Sequence, residues 1–390
     1  MIPLRLVIFG LTVNSIWIGV TVYLYKRLTG PYDLNPLTRN LARALATFVA
    51  LIVPSAFLTR LVRDWSGQQT VAYLGFATMG SIGALATLLI VRDVALWLWG
   101  RWHAFSHGEP ANPERRQFLI RASTTGVAVT SAGIAAAGLR GALQAPVVER
   151  IDVPIEGLHA DLEGLRIAQV SDIHVGATAT AKETERIAAI VNSVEPDLIA
   201  VTGDLVDGPV QILASDLAPL FAMKAPMGVH FCTGNHEYYA GWKPWCDHLT
   251  ANGWKVHLNG NQIIKRGAGS IMVAGVPDLR ATRFEPSHAC DLDKTCRGGE
   301  AADVKVLLAH QPRSLKDVPK GRFDLILSGH THGGQFFPFT VLIHLFQPLV
   351  AGLYRRKDMW VYVNRGTAHW GPPLRLGAHQ EVTLLTLTRA

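Results

Sequence analysis

The chain is poor in cysteine and in charge. Four cysteines occur in 390 residues, Cys232, Cys246, Cys290 and Cys296, and none belongs to a CxxC pair, which disfavours a zinc ribbon. Cys290 and Cys296 bracket a short polar loop. They could form a disulfide if that part of the chain lies outside the cytosol, or stand as two free thiols. Cys232 lies in an apolar run and reads as a packed small hydrophobe. Only 17% of residues are charged against 49% apolar, and mean hydropathy is +0.20. No internal repeat and no low-complexity tract occurs, which argues against a solenoid or a disordered array.

A basic excess is also missing where a nucleic-acid enzyme would need one. Residues 146–390 carry 24 Lys+Arg against 25 Asp+Glu, whereas residues 1–145 carry 13 against 5. The net charge of +7 therefore belongs to the apolar N-terminal part, where the bases flank hydrophobic runs. That placement reads as membrane topology, and no nucleic-acid partner is expected.

Three long apolar runs cover roughly residues 2–25, 41–61 and 71–99, each reaching the roughly 20 residues that cross hydrocarbon as a helix. Buried helices of a soluble domain are the alternative, but three such runs in the first hundred or so residues are hard to pack in water. The third run contains Arg92 and Asp93. It either tilts or ends near Ile90, leaving Val94 to Trp99 at the interface with Trp97, Trp99 and Trp102 as an aromatic belt. A fourth run, residues 118–142, is rich in Ala, Gly, Ser and Thr. Before it stands Glu114-Arg115-Arg116-Gln117-Phe118-Leu119, which resembles a twin-arginine export signal. An internal position departs from a plain N-terminal signal, and ordinary positive-inside charges are the other reading.

Both readings give one topology. Lys26, Arg27, Arg39 and Arg43 crowd the first connection, and Arg101, Arg115, Arg116 and Arg121 the third. The second has Arg60 and Arg63, partly offset by Asp64. The first and third connections are then cytoplasmic. The expected organisation is a multi-pass membrane region, residues 1–145, of about four transmembrane helices in a bacterial inner membrane. An extracytoplasmic domain, residues 146–390, follows it. If the fourth run does not cross, the domain lies on the cytoplasmic face.

From Arg150 the pattern alternates short strand-length apolar runs with amphipathic segments. Strands are expected near residues 165–170, 198–202, 229–232, 271–274, 304–309, 325–327, 360–363 and 382–387. Helices are expected near 182–192, 210–221 and 237–251. This is a layered α/β domain with a mixed sheet or two packed sheets.

Polar clusters follow the strand ends, where open α/β sheets place their sites. They are Asp172-Ile173-His174, Gly203-Asp204-Leu205-Val206-Asp207, Gly234-Asn235-His236-Glu237, His310, and Gly329-His330-Thr331-His332-Gly333-Gly334. Asp, Asn and His offer oxygen and nitrogen to borderline metals such as Mn, Zn, Fe or Co. In Asp172-x-His174 and His330-x-His332 the two-residue spacing sets both side chains on one side of an extended segment. No thiolate appears, so a structural zinc site is disfavoured. Each piece alone is weak: Asp204 could cap a helix and Asn235 could hold a turn. Their joint occurrence in this order carries the argument.

The series DIH, GDLVD, GNHE, AH and GHTH resembles the calcineurin-like metallophosphoesterase superfamily across roughly residues 165–381. GHTHGGQ with Asn364-Arg365-Gly366 and Arg375 is most similar to a bacterial membrane-associated branch of small phosphodiesterases. The resemblance implies a four-layer αββα sandwich. It implies two divalent metal ions, the first held by Asp172, His174 and His332 and the second by Asn235, His310 and His330, with Asp204 bridging. It implies that His236 faces the substrate with Asp207 orienting its ring, and that water activated between two metals about 3.5–4 Å apart attacks phosphorus.

The substrate would be a phosphorylated small molecule or lipid, with a UDP-diacylglucosamine-type pyrophosphate as one candidate by analogy. A non-catalytic sensor or transporter component is the alternative, which the complete ligand set with His236 and Asp207 argues against. Oligomeric state is open. Trp242, Trp245, Trp254 and Trp370 read mostly as packing residues, with contact to a substrate acyl chain or the membrane as the alternative; Arg355, Arg356 and Lys357 read as a solvated run, with lipid phosphates as the alternative; His369 and His379 read as surface or structural. Residues 336–350, apolar and aromatic, follow the metal motif directly and could wall the pocket or rest on the bilayer.

Overall fold

The computed structural model describes residues 4–59, 67–107 and 112–390 and divides into two compact units at Leu139–Arg140. In the first, the apolar runs form α1 (Leu4–Thr29), α2 (Pro36–Leu58), α3 (Gln68–His107) and α4 (Pro113–Leu143, whose last turn belongs with the second unit). Among the described residues α2, α3 and α4 are long and apolar enough to cross a membrane, and α1 is a helix of 26 residues. Arg60, Arg63 and Asp64 lie outside the described residues.

α2 starts where its chemistry dictates. The Asn35 side chain accepts from the Thr38 amide, and Pro36 occupies the first turn. α3 runs unbroken for 40 residues, about 60 Å at 1.5 Å per residue. The helix continues past Ile90, and the charges within it are paired. Asp93 accepts from the Tyr23 hydroxyl at 2.8 Å and meets Arg27 Nε at 2.6 Å and Arg92 Nε at 3.0 Å.

The second unit contains, in order, β1 (Val147–Ile155), β2 (Arg166–Val170), α5 (Ala181–Ser193), β3 (Leu198–Val201), α6 (Val210–Leu217), β4 (Val229–Phe231), α7 (Asn235–Ala240), α8 (Trp242–Ala251), β5 (Lys255–Val256), β6 (Gly260–Arg266), β7 (Gly269–Gly275), α9 (Leu292–Cys296), β8 (Val304–Leu308), β9 (Leu325–Ser328), α10 (Phe339–Phe346), β10 (Gly352–Arg356), β11 (Met359–Val363) and β12 (Glu381–Arg389). They build two six-stranded mixed sheets, ordered β1-β12-β2-β3-β4-β5 and β10-β11-β9-β8-β7-β6. In the first, β2, β3, β4 and β5 run parallel and β12 is antiparallel to β2. In the second, β7, β8, β9 and β11 run parallel, edged by antiparallel β6 and β10.

Side-chain alternation makes the layers. Leu198 and Ala200 of β3 and Ile167 of β2 join Ile271, Val273, Val306 and Leu327 in the core between the sheets. Ile199, Val201, Ala168 and Val170 turn the other way, onto Ile187, Leu213, Leu217 and Leu249 of the helices. Met272, Leu307, Ile326 and Val361 face a third cluster with Val318 and Phe323. Strands covered on both faces read as continuous apolar runs. The four-layer αββα sandwich implied by the sequence is the observed architecture.

One expected helix is two. Residues 237–251 break at Gly241, whose φ of +101° is left-handed. β1 pairs with β12 in parallel, which local pattern did not reveal. Cys290 and Cys296 are free thiols, the first exposed and the second buried. Trp245 and Trp254 are core residues, while Trp370 is 48% exposed.

A buried histidine pair gives a pH-linked prediction. His230 Nε2 donates to the Met227 carbonyl at 3.0 Å, so its Nδ1 accepts from His257 Nε2 at 2.9 Å. Both rings are thereby neutral, and burial lowers their pKa values from 6.5 to about 4 and about 3. The unfolded chain protonates first as pH falls, so stability is complete above pH 6.5 and declines toward the folded values. The loss by pH 5 is roughly 2 kcal/mol per histidine. Purified protein should melt at lower temperature at pH 5 than at pH 7.5, and the double substitution His230→Phe, His257→Leu should flatten that dependence.

Candidate metal centre

The parallel strands of both sheets end at one place. β2, β3 and β4 lead into Asp172, Asp204 and Asn235, and β8 and β9 into His310 and His330. The sheets are stitched together there. Gln169 Nε2 donates to the Ser328 carbonyl and the Thr202 hydroxyl, each at 2.9 Å, and His310 Nδ1 meets the Thr202 carbonyl at 2.7 Å.

The backbone bends sharply to present these side chains. Asp172, His174, Asp204, His330 and His332 all have φ between +50° and +69°, a region that costs a non-glycine residue roughly 1 kcal/mol or more. Such strain persists only where surrounding structure enforces it. Gly203 shows the enforcement: its φ is +82°, and a Cβ there would meet the Gly234 backbone.

Asp172, His174, Asp204, Asn235, His310 and His332 are buried, while His330 and His236 are partly exposed. His174 Nε2 lies 3.1 Å from His332 Nε2, and His332 Nε2 lies 3.4 Å from Asp172 Oδ1. The Oδ2 atom of Asp204 stands 3.1 Å from His310 Nε2, 3.9 Å from His174 Nε2 and 4.0 Å from His236 Nε2. Two groups of possible ligands result, Asp172–His174–His332 and Asp204–His310–His330. Asp207 makes a third with His174 and His236: its Oδ1 accepts from His174 Nδ1 at 2.9 Å and His236 Nδ1 at 2.6 Å. Asp207 thus orients two histidines, one more than expected.

The donor set fits metal ions on three observations. First, Asn235 Oδ1 is buried without a hydrogen-bond partner, and buried His310 Nε2 faces the Asp204 carboxylate at 3.1 Å. Second, Asp172, Asp204 and Glu237 are buried with no lysine or arginine ion pair among the described residues, an arrangement that is costly without compensating positive charge. Third, adjacent ligand atoms at 3.1–3.4 Å match ligands that share one ion with bonds of about 2.0–2.2 Å.

Electrostatics follow the same logic. Burial raises Asp172. Burial also opposes the charge of Asp204, but His310, His236 and His174 outweigh it and hold that carboxyl well below its usual range. His236 is raised to about 9, because Asp204 and Asp207 overcome its desolvation.

Several supporting residues had no role in the sequence reading. Glu237, the last residue of GNHE, accepts from the amides of Asp204 at 3.0 Å, Leu205 at 2.7 Å and Gly234 at 2.7 Å, locking two metal loops together. Arg375 is buried and donates to the carbonyls of His332 at 2.9 Å, Arg365 at 2.7 Å and Ala368, with Nη2 3.0 Å from His332 Nδ1. Gln335 clamps Trp370 through its backbone, accepting from the amide at 2.9 Å and donating to the carbonyl at 3.0 Å. The Trp370 ring then sits 5.6 Å from His236 and 6.2 Å from His174. His369 is buried beside this cluster, whereas His379 pairs with Glu149 at 2.7 Å at the surface.

A family model described as calcineurin-like phosphoesterase matches residues 165–334, which contain all eight residues singled out above and Asp207. The chain is 32% identical over 394 aligned residues to a transmembrane protein with metallophosphoesterase domain from Danio rerio, covering 98% of this chain and 89% of that one. It is 31% identical to the Bos taurus protein of the same description, with the same coverage. An uncharacterized metallophosphoesterase of Helicobacter pylori is 33% identical over 70% of this chain and 73% of its own length. The likeness to the fish and cattle proteins runs through the apolar helices as well as the metal loops. The chain therefore belongs to the calcineurin-like metallophosphoesterases, phosphoester hydrolases, here joined to apolar helices compatible with a membrane.

Proposed function

We propose that this chain is a membrane-anchored, two-metal phosphoesterase that cleaves a phosphodiester, phosphomonoester or pyrophosphate bond. The observation that carries the reading is the convergence of seven ligand-type side chains, among them Asn235 with an orphaned buried Oδ1, at the shared end of both sheets. Asp172, His174 and His332 would hold one divalent ion. Asn235, His310 and His330 would hold the other, and Asp204 Oδ2, central to three histidines, would bridge. The oxygen and nitrogen donors suit Mn, Zn, Fe or Co. Bound there, the ions supply Lewis-acid activation of water and of the phosphoryl group.

The chain's own residues set the proton positions. His174 Nδ1–H donates to Asp207 and His310 Nδ1–H to the Thr202 carbonyl, so both rings turn Nε2 inward. Asp204 overcomes the burial of His310 and raises its pKa, so a proton on its Nε2 must also leave before a metal binds. Arg375 only donates, so His332 Nδ1 accepts from it, and the His332 Nε2 proton points at His174 Nε2. Metal loading between those nitrogens requires that proton to leave. Burial and the adjacent Arg375 charge lower the pKa of His332 and so disfavour its doubly protonated form. His236, held by Asp207 at Nδ1, turns Nε2 toward the same space, where it can protonate the departing oxygen.

The membrane arrangement belongs to the same reading. The positive-inside pattern and the Arg115-Arg116 segment favour an extracytoplasmic catalytic domain on a bacterial inner membrane, below about four transmembrane helices. The competing reading, a sensor that binds phosphorylated ligands without turnover, leaves the oriented His236–Asp207 pair without a purpose.

Metal-replete protein with Mn should hydrolyse bis(nitrophenyl) phosphate, and binding without hydrolysis would favour the sensor. Asp204→Ala should lose bound metal, measured by elemental analysis, together with activity. His236→Ala should keep both metals and lose turnover by about 100-fold or more; wild-type turnover in that variant would remove the assigned role. Protease added to cells with a permeabilised outer membrane should digest residues 146–390, and their protection would place the domain in the cytoplasm.

A further inference from the structure

The phosphoesterase chemistry makes no use of the segment that follows the metal loop. His332-Gly333-Gly334-Gln335 leads through Phe336-Phe337-Pro338 into α10, whose sequence is Phe-Thr-Val-Leu-Ile-His-Leu-Phe. A surface helix in water turns its apolar stripe inward. α10 does the reverse: Phe339, Val341, Leu342, Leu345 and Phe346 are 54, 63, 38, 77 and 61% exposed, and no residue of the helix is buried.

This apolar face is continuous with the mouth of the metal centre. Phe336 packs against Phe339 with ring centroids 5.6 Å apart. The neighbouring Gln335 holds the exposed Trp370 beside His236 and His174.

The sequence beside the face carries an excess of bases. No carboxylate occurs between Asp324 and Asp358. At the C-terminal end of α10 the Arg313 guanidinium donates to the Phe346 carbonyl. Lys357 Nζ donates to the carbonyls of Leu315, Lys316 and Val318, which brings its charge to the segment that carries Arg313. Lys320 and Asp358 pair with each other at 2.7 Å. An exposed apolar helix bordered by cations complements an anionic lipid surface. The tether agrees, because α4 ends at Leu143 and β1 begins at Val147, keeping the catalytic unit within reach of a bilayer.

We propose that α10 docks on the anionic surface of the bilayer, with Phe339, Val341, Leu345 and Phe346 below the headgroups. The metal centre then takes a phosphate or pyrophosphate ester whose acyl chains stay in the lipid. The substrate class rests on the phosphoesterase reading above; the docking does not.

The test uses the full chain in vesicles of phosphatidylglycerol and phosphatidylcholine. An environment-sensitive nitrobenzoxadiazole probe is attached at Leu345→Cys in a Cys290→Ser background. Its emission should shift to the blue and be quenched by lipids with doxyl-labelled acyl chains, while the same probe on native Cys290 stays aqueous and unquenched. An aqueous, unquenched probe at 345 overturns the docking. Self-quenching that rises with protein density without doxyl quenching also overturns it, in favour of a second copy on this face. In a second arm, Leu345→Asp with Phe346→Asp should leave turnover of soluble bis(nitrophenyl) phosphate unchanged and lower hydrolysis of a vesicle-embedded hexadecyl nitrophenyl phosphate, also a diester, about tenfold. Equal loss on both substrates overturns the proposal. Wild-type protein inert toward both would defeat the phosphoesterase reading, while the probe still decides the docking.

Discussion

Everything in the catalytic unit is arranged around negative charge gathered where water cannot solvate it. Asp172, Asp204 and Glu237 are all but sealed from solvent, and lysine or arginine compensates none of them in an ion pair. A fold would not tolerate this for stability's sake, since unpaired buried carboxylates cost several kcal/mol each unless protonated or bound to cations. The histidines resolve part of the conflict by surrounding Asp204. Divalent ions bound there would resolve the rest, by supplying the missing positive charge and taking up the lone pairs that the histidines can present.

That charge explains the shape of the surrounding backbone. The ligands sit in single bent residues just past strand ends, and five of them are left-handed. Glu237 offsets the cost by binding three amides across two loops. The Gln169 bridge and the His310–Thr202 bond do the same between sheets. The rigid sandwich behind these loops gives the bends a fixed frame. Its strands are covered on both faces, so the strain is borne by packing and not relaxed into solvent.

How much of this was legible beforehand follows from range. The two-residue spacing in Asp172-x-His174 and His330-x-His332, placed after apolar runs, was readable because strand geometry and metal chemistry are both local. So were the eight inner strands, since double burial makes them apolar; the edge strands β1, β5, β6 and β10 were not, because their outer sides carry polar residues. The parallel partner of β12 was not, because β1 is an exposed-edge strand with polar residues and its pairing spans the whole domain. Gly241 split a helix that periodicity alone runs together. Arg375 and Gln335 were invisible as functional residues for another reason. Each acts through another side chain, and nothing in a local pattern records that a distant guanidinium touches His332.

The same distinction applies to the apolar segments. Length marked the runs that form α1, α2 and α3, because crossing hydrocarbon demands about 20 consecutive apolar residues. It could not mark α10, which has 8 residues and might equally have been core. Exposure decides between those origins. A core helix of this composition would bury its leucines and phenylalanines, and α10 buries none. A water-facing helix would carry charge, and this one has only His344. A surface that is neither core nor water-adapted is matched to a third solvent, and the chain's own apolar helices bring one within reach. The candidate metal centre lies beside that surface, so the chemistry that is clearest in the molecule and the segment whose place the sequence left open, pocket wall or bilayer contact, meet at the same edge of the fold.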